Sequence, residues 1–551
     1  LLNGSETDTY NWGISTITTG QTVTLNNGLF KSSTDVTVDG GSFVFNGGSI
    51  DLNYNTYDFG DFTVPEGGTV YGIGTIVGDV TNNGTIIPGY SPGTISISGD
   101  FYQSETGTLV MEISGSDYDV INVSGTATVD GTLDLTTADL ENNTEYTLIA
   151  STEDVQGEFD DIVIQATRTT EVTYDLNAIY VEVTHKSYTE FVQNNDQGQY
   201  TIGNTLDQVF DVVDTHSLLG DLITKVDSFM LDSNVTEFLE QLAAPMSMNT
   251  GWLVEQGSDI MNLIKDQQAQ TPAGSYVWAK AIREHMDFDS YTNYGERNGD
   301  YNGAVAGFAL QVGDSNWTLG GSVSGIDGSL DNQTLSKYDN ETTSLWLLAT
   351  HYMVSENDGW SQAFRMGLGY SDVDVDAYDR FFFNGDHINS SYKGETLSGF
   401  FEVAANKQFS NWKIEPSIGF TFQRHTDDAH NDMLNGEVLR TWEDVSSKSI
   451  KGTVGCRAMY VIEMASAKLI PYVNARFEYQ FEDQPEGNFT WGGTSISGTL
   501  ESAEWDEQTL RLGAGLMYLM DSGWSTSVSG DYLEGDSHNA YGVNAGFSYS
   551  F

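Results

Sequence analysis

Apolar and polar positions recur with three different periods along this 551-residue chain. Up to about residue 185 the apolar residues form short alternating runs, such as "DVTVDGGSFVFNGGSIDL" and "GTIVGDVTNNGTI", bounded by Asn-Gly or Gly-Gly. A period of two between turn residues predicts strands of a few residues each. Their loosely equal spacing predicts a stacked parallel β-helix, in which every rung needs tight corners and an inward apolar face. Val44, Ile76, Ile86 and Ile97 are candidates for that face. An open β-sandwich would read similarly.

From residue 187 to about 270 the period changes. "NTLDQVFDVVDTHSLLGDLITKVDSFM" and the stretch from Asn234 to Gln270 carry apolar residues at helical spacing, with Leu253, Ile260, Leu263 and Ile264 near one side of the last part. This predicts a helical linker over 186–245 and one longer helix within 246–273, punctuated by Pro245 and Pro272. A helix from Ser247 to Gln267 would be about 30 Å long, comparable to a bilayer's apolar thickness. It carries Glu255, Asp259, Lys265 and Asp266, so it cannot face lipid. If it crosses a membrane, something polar must surround it.

Residues 274–551 supply about twelve strand-like segments, each long enough to cross a bilayer at a tilt. In "KLIPYVNARFEYQF" one face holds Leu469, Pro471, Val473, Ala475, Phe477, Tyr479 and Phe481, the other Tyr472, Asn474, Arg476, Glu478 and Gln480. The stretches "KIEPSIGFTFQ", "TVGCRAMYVI" and "TLRLGAGLMYLM" alternate in the same way, with Glu415, Arg457 and Arg511 on their polar faces. A soluble sandwich would bury the apolar face, whereas a transmembrane barrel turns it to lipid and lines its lumen with charge. Alternation alone does not separate the two.

Three features favour a barrel. An even strand count closes the sheet without edges. Trp278, Trp317, Trp346, Trp360, Trp412 and Trp524 lie near presumed strand ends, as in an interfacial girdle. The last strand presents an aromatic and aliphatic row, Tyr541, Val543, Phe547, Tyr549 and Phe551, that suits lipid better than water. Twelve strands leave room for about one helix of 10–12 Å diameter. The expectation is a mostly β chain in which a helix threads a 12-stranded antiparallel barrel. Its acidic residues would meet Arg457, Arg476 and Arg511, and Lys265 would meet Glu402, Glu415 or Glu478.

Charge and composition narrow the function. With 79 acidic and 22 basic residues the formal net charge is −57, which excludes phosphate-backbone binding by clustered Lys and Arg. The single cysteine, Cys456, allows no internal disulfide. The N-terminal Leu1-Leu2-Asn3-Gly4 has no basic and apolar leader pattern, so the chain is expected to begin after processing or partway through a longer protein. Gly89-Tyr90-Ser91-Pro92-Gly93 matches the serine-hydrolase G-x-S-x-G pattern, but Pro92 has no N–H for an oxyanion hole and a strand follows. Asp372, Asp374 and Asp376 share one strand face and lack the glycine and glutamate of a calcium loop, so they read as a hydrated rim. No cofactor, catalytic or metal residue is expected.

Residues 78–113 and 117–135 resemble the passenger junction of classical type V autotransporters of Gram-negative outer membranes. "GSYVWAKAI" resembles the start of that family's barrel, and the terminal row ending in Phe551 resembles its insertion signal. The resemblance extends over residues 67–551. It implies a β-helix passenger segment over 1–66, an autochaperone-like junction over 67–185 and an outer-membrane barrel over 274–551. Partners so implied are outer-membrane lipid, the barrel-assembly machinery and periplasmic chaperones, with a plug helix left in the pore and the passenger at the cell surface. Some members cut their passenger at an Asn-Asn bond in the pore. Here Asn194-Asn195 lies upstream and reads as a turn, so a tethered passenger is expected. The passenger reads as an adhesin contacting other cells, polysaccharide or its own copies. The alternatives are a structural matrix protein, or a segment of a longer chain whose hydrolase part lies elsewhere.

Overall fold

In the computed structural model all residues are described except 1, 4–7, 14, 91, 139–143, 215, 271–273, 291–294, 333–335, 355–359, 381–385, 483 and 503–505. Ser91 and Pro272 therefore lie outside the described residues. The chain forms two compact units, one of Leu1–Glu190 with Ile223–Val235, the other of Phe191–Leu222 with Thr236–Phe551.

The first unit is a parallel β-helix. Short strands stack in register along successive rungs, so that Phe30, Ile50, Val70, Ile86, Leu109 and Leu133 form one continuous inward column. Tyr57, Ile76, Ile97 and Val123 form a second. All are buried, because alternation sends every second side chain into an interior that no single rung could enclose. Val44 departs from the expectation. It shares a strand with Phe43 and Phe45, which face the core, and so points the other way, half-buried.

One interior column is polar. Asn82 and Gln103 stack in register, and the Asn82 amide donates to Gln103 Oε1 at 3.0 Å. The stack ends in antiparallel pairing, where Arg168–Asp175 and Ala178–His185 form a hairpin against Glu145–Ser151. Beneath it Asp227 accepts from Arg168 Nη2 at 2.8 Å and from the Tyr188 hydroxyl at 2.9 Å, and lies 3.1 Å from His185 Nε2.

Among the described residues four α-helices follow the β-helix: α1 Gln197–Phe210, α2 Leu218–Asp227, α3 Asp232–Ala243 and α4 Thr250–Gln270. Asp196 caps α1 by accepting from the Gln199 N–H. Asn194 and Asn195, just before it, both have positive φ, the conformation of a turn.

The second unit is a closed antiparallel barrel of twelve strands. These are β1 Tyr276–Phe288, β2 Arg297–Gln311, β3 Trp317–Asn332, β4 Lys337–Val354, β5 Trp360–Arg380 and β6 His387–Phe409. Then come β7 Trp412–Asp427, β8 Val445–Tyr460, β9 Ala467–Gln480, β10 Gln508–Met520, β11 Trp524–Gly535 and β12 His538–Ser550. Closure comes from β12 on β1, in register from Tyr276 opposite Ser550 to Phe288 opposite His538.

Alternation decides which face each residue takes. Outward are Val473, Phe477, Phe481, Leu512, Val528, Tyr541, Val543, Phe547 and Phe551, all strongly exposed. Tyr549 shares that face, its ring stacked near Phe551. Tyr472, Glu478, Arg457 and their neighbours are buried inside. The tryptophan girdle is narrower than the sequence suggests. Trp317, Trp412 and Trp524 are exposed near the short-turn end, with Trp360 half-buried at the same end. Trp278 and Trp346 are corrections: their strand positions oppose the outward Val277 and Leu345, and both rings are buried inside the barrel.

Candidate functional site

The barrel lumen is filled by α4. This helix is polar by composition, yet 18 of its 21 residues are buried. Many of their polar groups meet partners on the barrel wall, which offsets the cost of enclosing them.

Near its N-terminal end α4 is held by packing. Trp252 stacks edge-on against Phe288 and Tyr301, at 6.2 and 5.8 Å between ring centroids. Its Nε1 donates to Asn340 Oδ1 at 2.8 Å, and Gln256 and Asn340 exchange hydrogen bonds of 3.0 and 2.9 Å. The wall opposite is glycine for a steric reason, since a Cβ at Gly299 would lie 2.3 Å from the Trp252 ring. One turn on, Gly257 of the helix admits Gln423, which donates to Val254 O at 2.8 Å and to Ser258 Oγ at 3.0 Å. A Cβ on Gly257 would come within 2.2 Å of the Gln423 side-chain oxygen.

Further down, charge replaces packing. Glu255 meets Lys451 at 2.5 Å. Asp259 accepts from both Arg511 and the Tyr301 hydroxyl, and Arg511 also reaches Asp531 and, at 3.3 Å, Glu284. Asp266 pairs with Arg457 and lies 3.7 Å from Arg476. Arg365 bridges Glu402 at 2.7 Å and Glu415 at 2.9 Å. Lys265 is buried over the Phe400 ring, in the fields of Glu402 and Glu478. Glu415, a candidate partner for Lys265, is instead engaged by Arg365. The lowest contacts are Tyr352, whose hydroxyl donates to Gln268 O at 2.9 Å, and Gln270, which donates to the Tyr472 hydroxyl at 3.1 Å.

The lumen thus gathers Lys265, Lys280, Arg365, Lys451, Arg457, Arg476 and Arg511, seven of the 22 basic residues of the chain. They balance Glu255, Asp259, Asp266, Glu284, Glu402, Glu415, Glu478 and Asp531 at close range, as buried charges require. Sequence reasoning overlooked Lys280, Arg365, Lys451, Glu284 and Asp531. Each sits at the inward parity of its strand, all but Glu284 between apolar or glycine neighbours, so extending the alternation to those strands would have found them.

A second cluster closes the far end. Hairpin strands His430–Leu434 with Glu437–Trp442, and Glu486–Trp491 with Ser497–Glu501, rise from the long β7–β8 and β9–β10 connections. Arg440 donates to Asp432 at 2.5 Å and to Leu242 O at 2.8 Å, and its guanidinium stacks over Trp442. Trp491 Nε1 donates to Thr205 Oγ1 of α1 at 3.0 Å. Nothing in the periodicity of the chain marked this cap, because its partners come from loops and helices distant in sequence.

Other candidates fall away from this site. Thr396, His425 and Asp427 are hydrogen-bonded in series at 2.8 and 2.7 Å, but His425 is 0% and Asp427 1% exposed, so no substrate reaches them. Asp372, Asp374 and Asp376 face outward, and Asp374 pairs with Lys393 at 2.8 Å. Among the described residues no cluster of three or more metal-ligating side chains occurs. In the G-x-S-x-G stretch Gly93 donates its N–H to Asp119 at 2.6 Å, and Gly89 turns at φ 86°.

Residues 277–531 match the family model described as autotransporter beta-domain. Among solved structures the chain is similar to the translocator domain of autotransporter NalP from Neisseria meningitidis, at 12% identity and a TM-score of 0.43 over 55% of this chain and 97% of that one. It is similar to the beta domain of the Bordetella autotransporter BrkA, at 16% identity and a TM-score of 0.37 over 50% of this chain and 100% of that one. It is also similar to the transport unit of AIDA-I from Escherichia coli, at 15% identity and a TM-score of 0.38 over 51% and 92%. No curated protein matches the chain.

Proposed function

We propose that the barrel, whose residues 277–531 match the autotransporter beta-domain, is an outer-membrane translocator, and that the passenger it displays is its own N-terminal β-helix, left uncut and adhesive. The observation that supports this is the threading of the lumen. A single helix runs from the long-connection end, where Trp252 meets Phe288, to the short-turn end, where Gln270 meets Tyr472. The chain ahead of that helix leaves the pore on the long-connection side, which is where a surface passenger belongs.

Retention of the passenger is supported by the helix chemistry. The only asparagine in α4 is Asn262, followed by Leu263, so the Asn-Asn pair used by self-cleaving members is missing from the pore. Adhesion without catalysis is supported by the β-helix itself. Residues 1–184 contain no histidine, and the unit exposes Tyr54, Tyr90, Tyr102 and Leu176. In this reading the junction over 67–185 nucleates the stack, and insertion uses outer-membrane lipid and the barrel-assembly machinery. Protease applied to intact cells tests the proposal. It should remove the β-helix, leave a heat-modifiable barrel fragment and abolish attachment or aggregation. Passenger found free in the medium without protease, or attachment that survives shaving, overturns it.

A further inference from the structure

Strands β7 and β8 present a lipid-type profile that ends in an unusual pair. Outward positions are apolar from Trp412 to Phe422 on β7 and from Tyr460 to Ile450 on β8. Ten residues of tilted strand span about 25 Å along a barrel axis, the height of an outer-membrane apolar band. Trp412 and Tyr460 pack with tilted rings, 5.1 Å between centroids, at the short-turn border. At the opposite border the next outward residues are Arg424 and Lys448, both exposed and directly opposite each other in the ladder.

Two cations facing across a ladder repel. Neither forms an ion pair among the described residues, although other outward cations do: Lys393 pairs with Asp374 and Lys337 with Asp339. The nearest outward carboxylate on the adjoining strand, Glu395, is one step further along the ladder and engages the Tyr370 hydroxyl. In a chain of net charge −57, two adjacent unneutralised cations at the edge of an apolar band call for an anion from outside.

We propose that Arg424 and Lys448 bind the phosphate of an anionic lipid headgroup in the leaflet at the long-connection end of the barrel. Its acyl chains lie along the band from Phe422 and Ile450. The planar guanidinium supplies paired donors to phosphate oxygens and the ammonium a point charge, so one phosphate relieves the repulsion.

The test is native mass spectrometry of the full chain, folded in detergent and offered phosphatidylglycerol and phosphatidylcholine in equal amounts. Wild type should retain phosphatidylglycerol preferentially. Retention should fall about fivefold for each cation removed in R424Q, K448Q and the double variant, the loss expected for one headgroup charge contact. R424K and K448R should keep the preference, as should K407Q, which removes an outward cation at the opposite border. Heat-modifiable migration shows separately whether each barrel is folded, so a failed barrel is not mistaken for lost lipid. Should the double variant not fold, salt on wild type decides: rising NaCl should release phosphatidylglycerol and leave phosphatidylcholine. Unchanged retention in folded Gln variants, indifference to salt, or displacement of the lipid by inorganic phosphate would each overturn the proposal.

Discussion

Lys451 Nζ lies 2.5 Å from Glu255 Oε1, joining the barrel wall to the helix it encloses. Both side chains are buried, so neither charge can return to water if its partner is lost. K451M should therefore destabilise the barrel by about 3–5 kcal/mol, whereas E255Q with K451M should recover most of the loss. The temperature at which heat-modifiable migration disappears reads both, and equal losses in single and double variants would show that the pair carries no coupling.

Gly299 faces the Trp252 ring at a distance that leaves no room for a side chain. G299L should unseat the upper end of α4 and open the lumen. Planar-bilayer recordings should then show larger and more frequent conductance steps than wild type. Trimming the helix in W252A/G299L should return conductance towards the wild-type level, because the wall leucine then fills the space left by the indole.

Asp119 is buried in the β-helix, which raises its carboxyl to about 6, although it accepts the N–H groups of Glu112 and Gly93. The folded form then holds a proton that the unfolded chain has released between the ordinary Asp range and pH 6. Stability from this group is present below that window and declines as pH rises through it. Chemical denaturation of the passenger from pH 4 to 7 should show a decline in wild type that is smaller in D119N.

Asp227 behaves in the opposite sense. Burial alone would raise its carboxyl, but His185, Arg168 and Tyr188 outweigh that and hold it below the usual range. Its contribution is present above the unfolded Asp value and is lost as pH falls through the depressed one. D227N should weaken the junction at neutral pH, and the difference from wild type should vanish in strong acid. Limited proteolysis of residues 145–190 across pH is the measurement.

Much of the architecture was readable because two kinds of period carry different information. Period-two alternation in "KLIPYVNARFEYQF" assigns Val473 and Glu478 to opposite faces without reference to any other strand. The acidic residues in α4 identify a helix that must be enclosed. Alternation does not tell a girdle tryptophan from a lumen one unless the parity of each strand is counted, and that is why Trp278 and Trp346 turned inward. Pairing across the lumen was harder still. Lys265 had three plausible carboxylates, and Glu415 was taken by Arg365, a residue visible only by its parity. The Arg440 cap depends on loops and had no periodic signature at all.

Gly257 is a notch in the helix, and Gln423 the tooth that enters it. Each residue of a helix turns it by about 100° and advances it by about 1.5 Å, so a slip of one position carries the notch out of line. The same slip would tear three carboxylates from their cations. A chain sliding through this barrel is therefore indexed: among all its possible depths and rotations, one setting locks, and that setting is its stop.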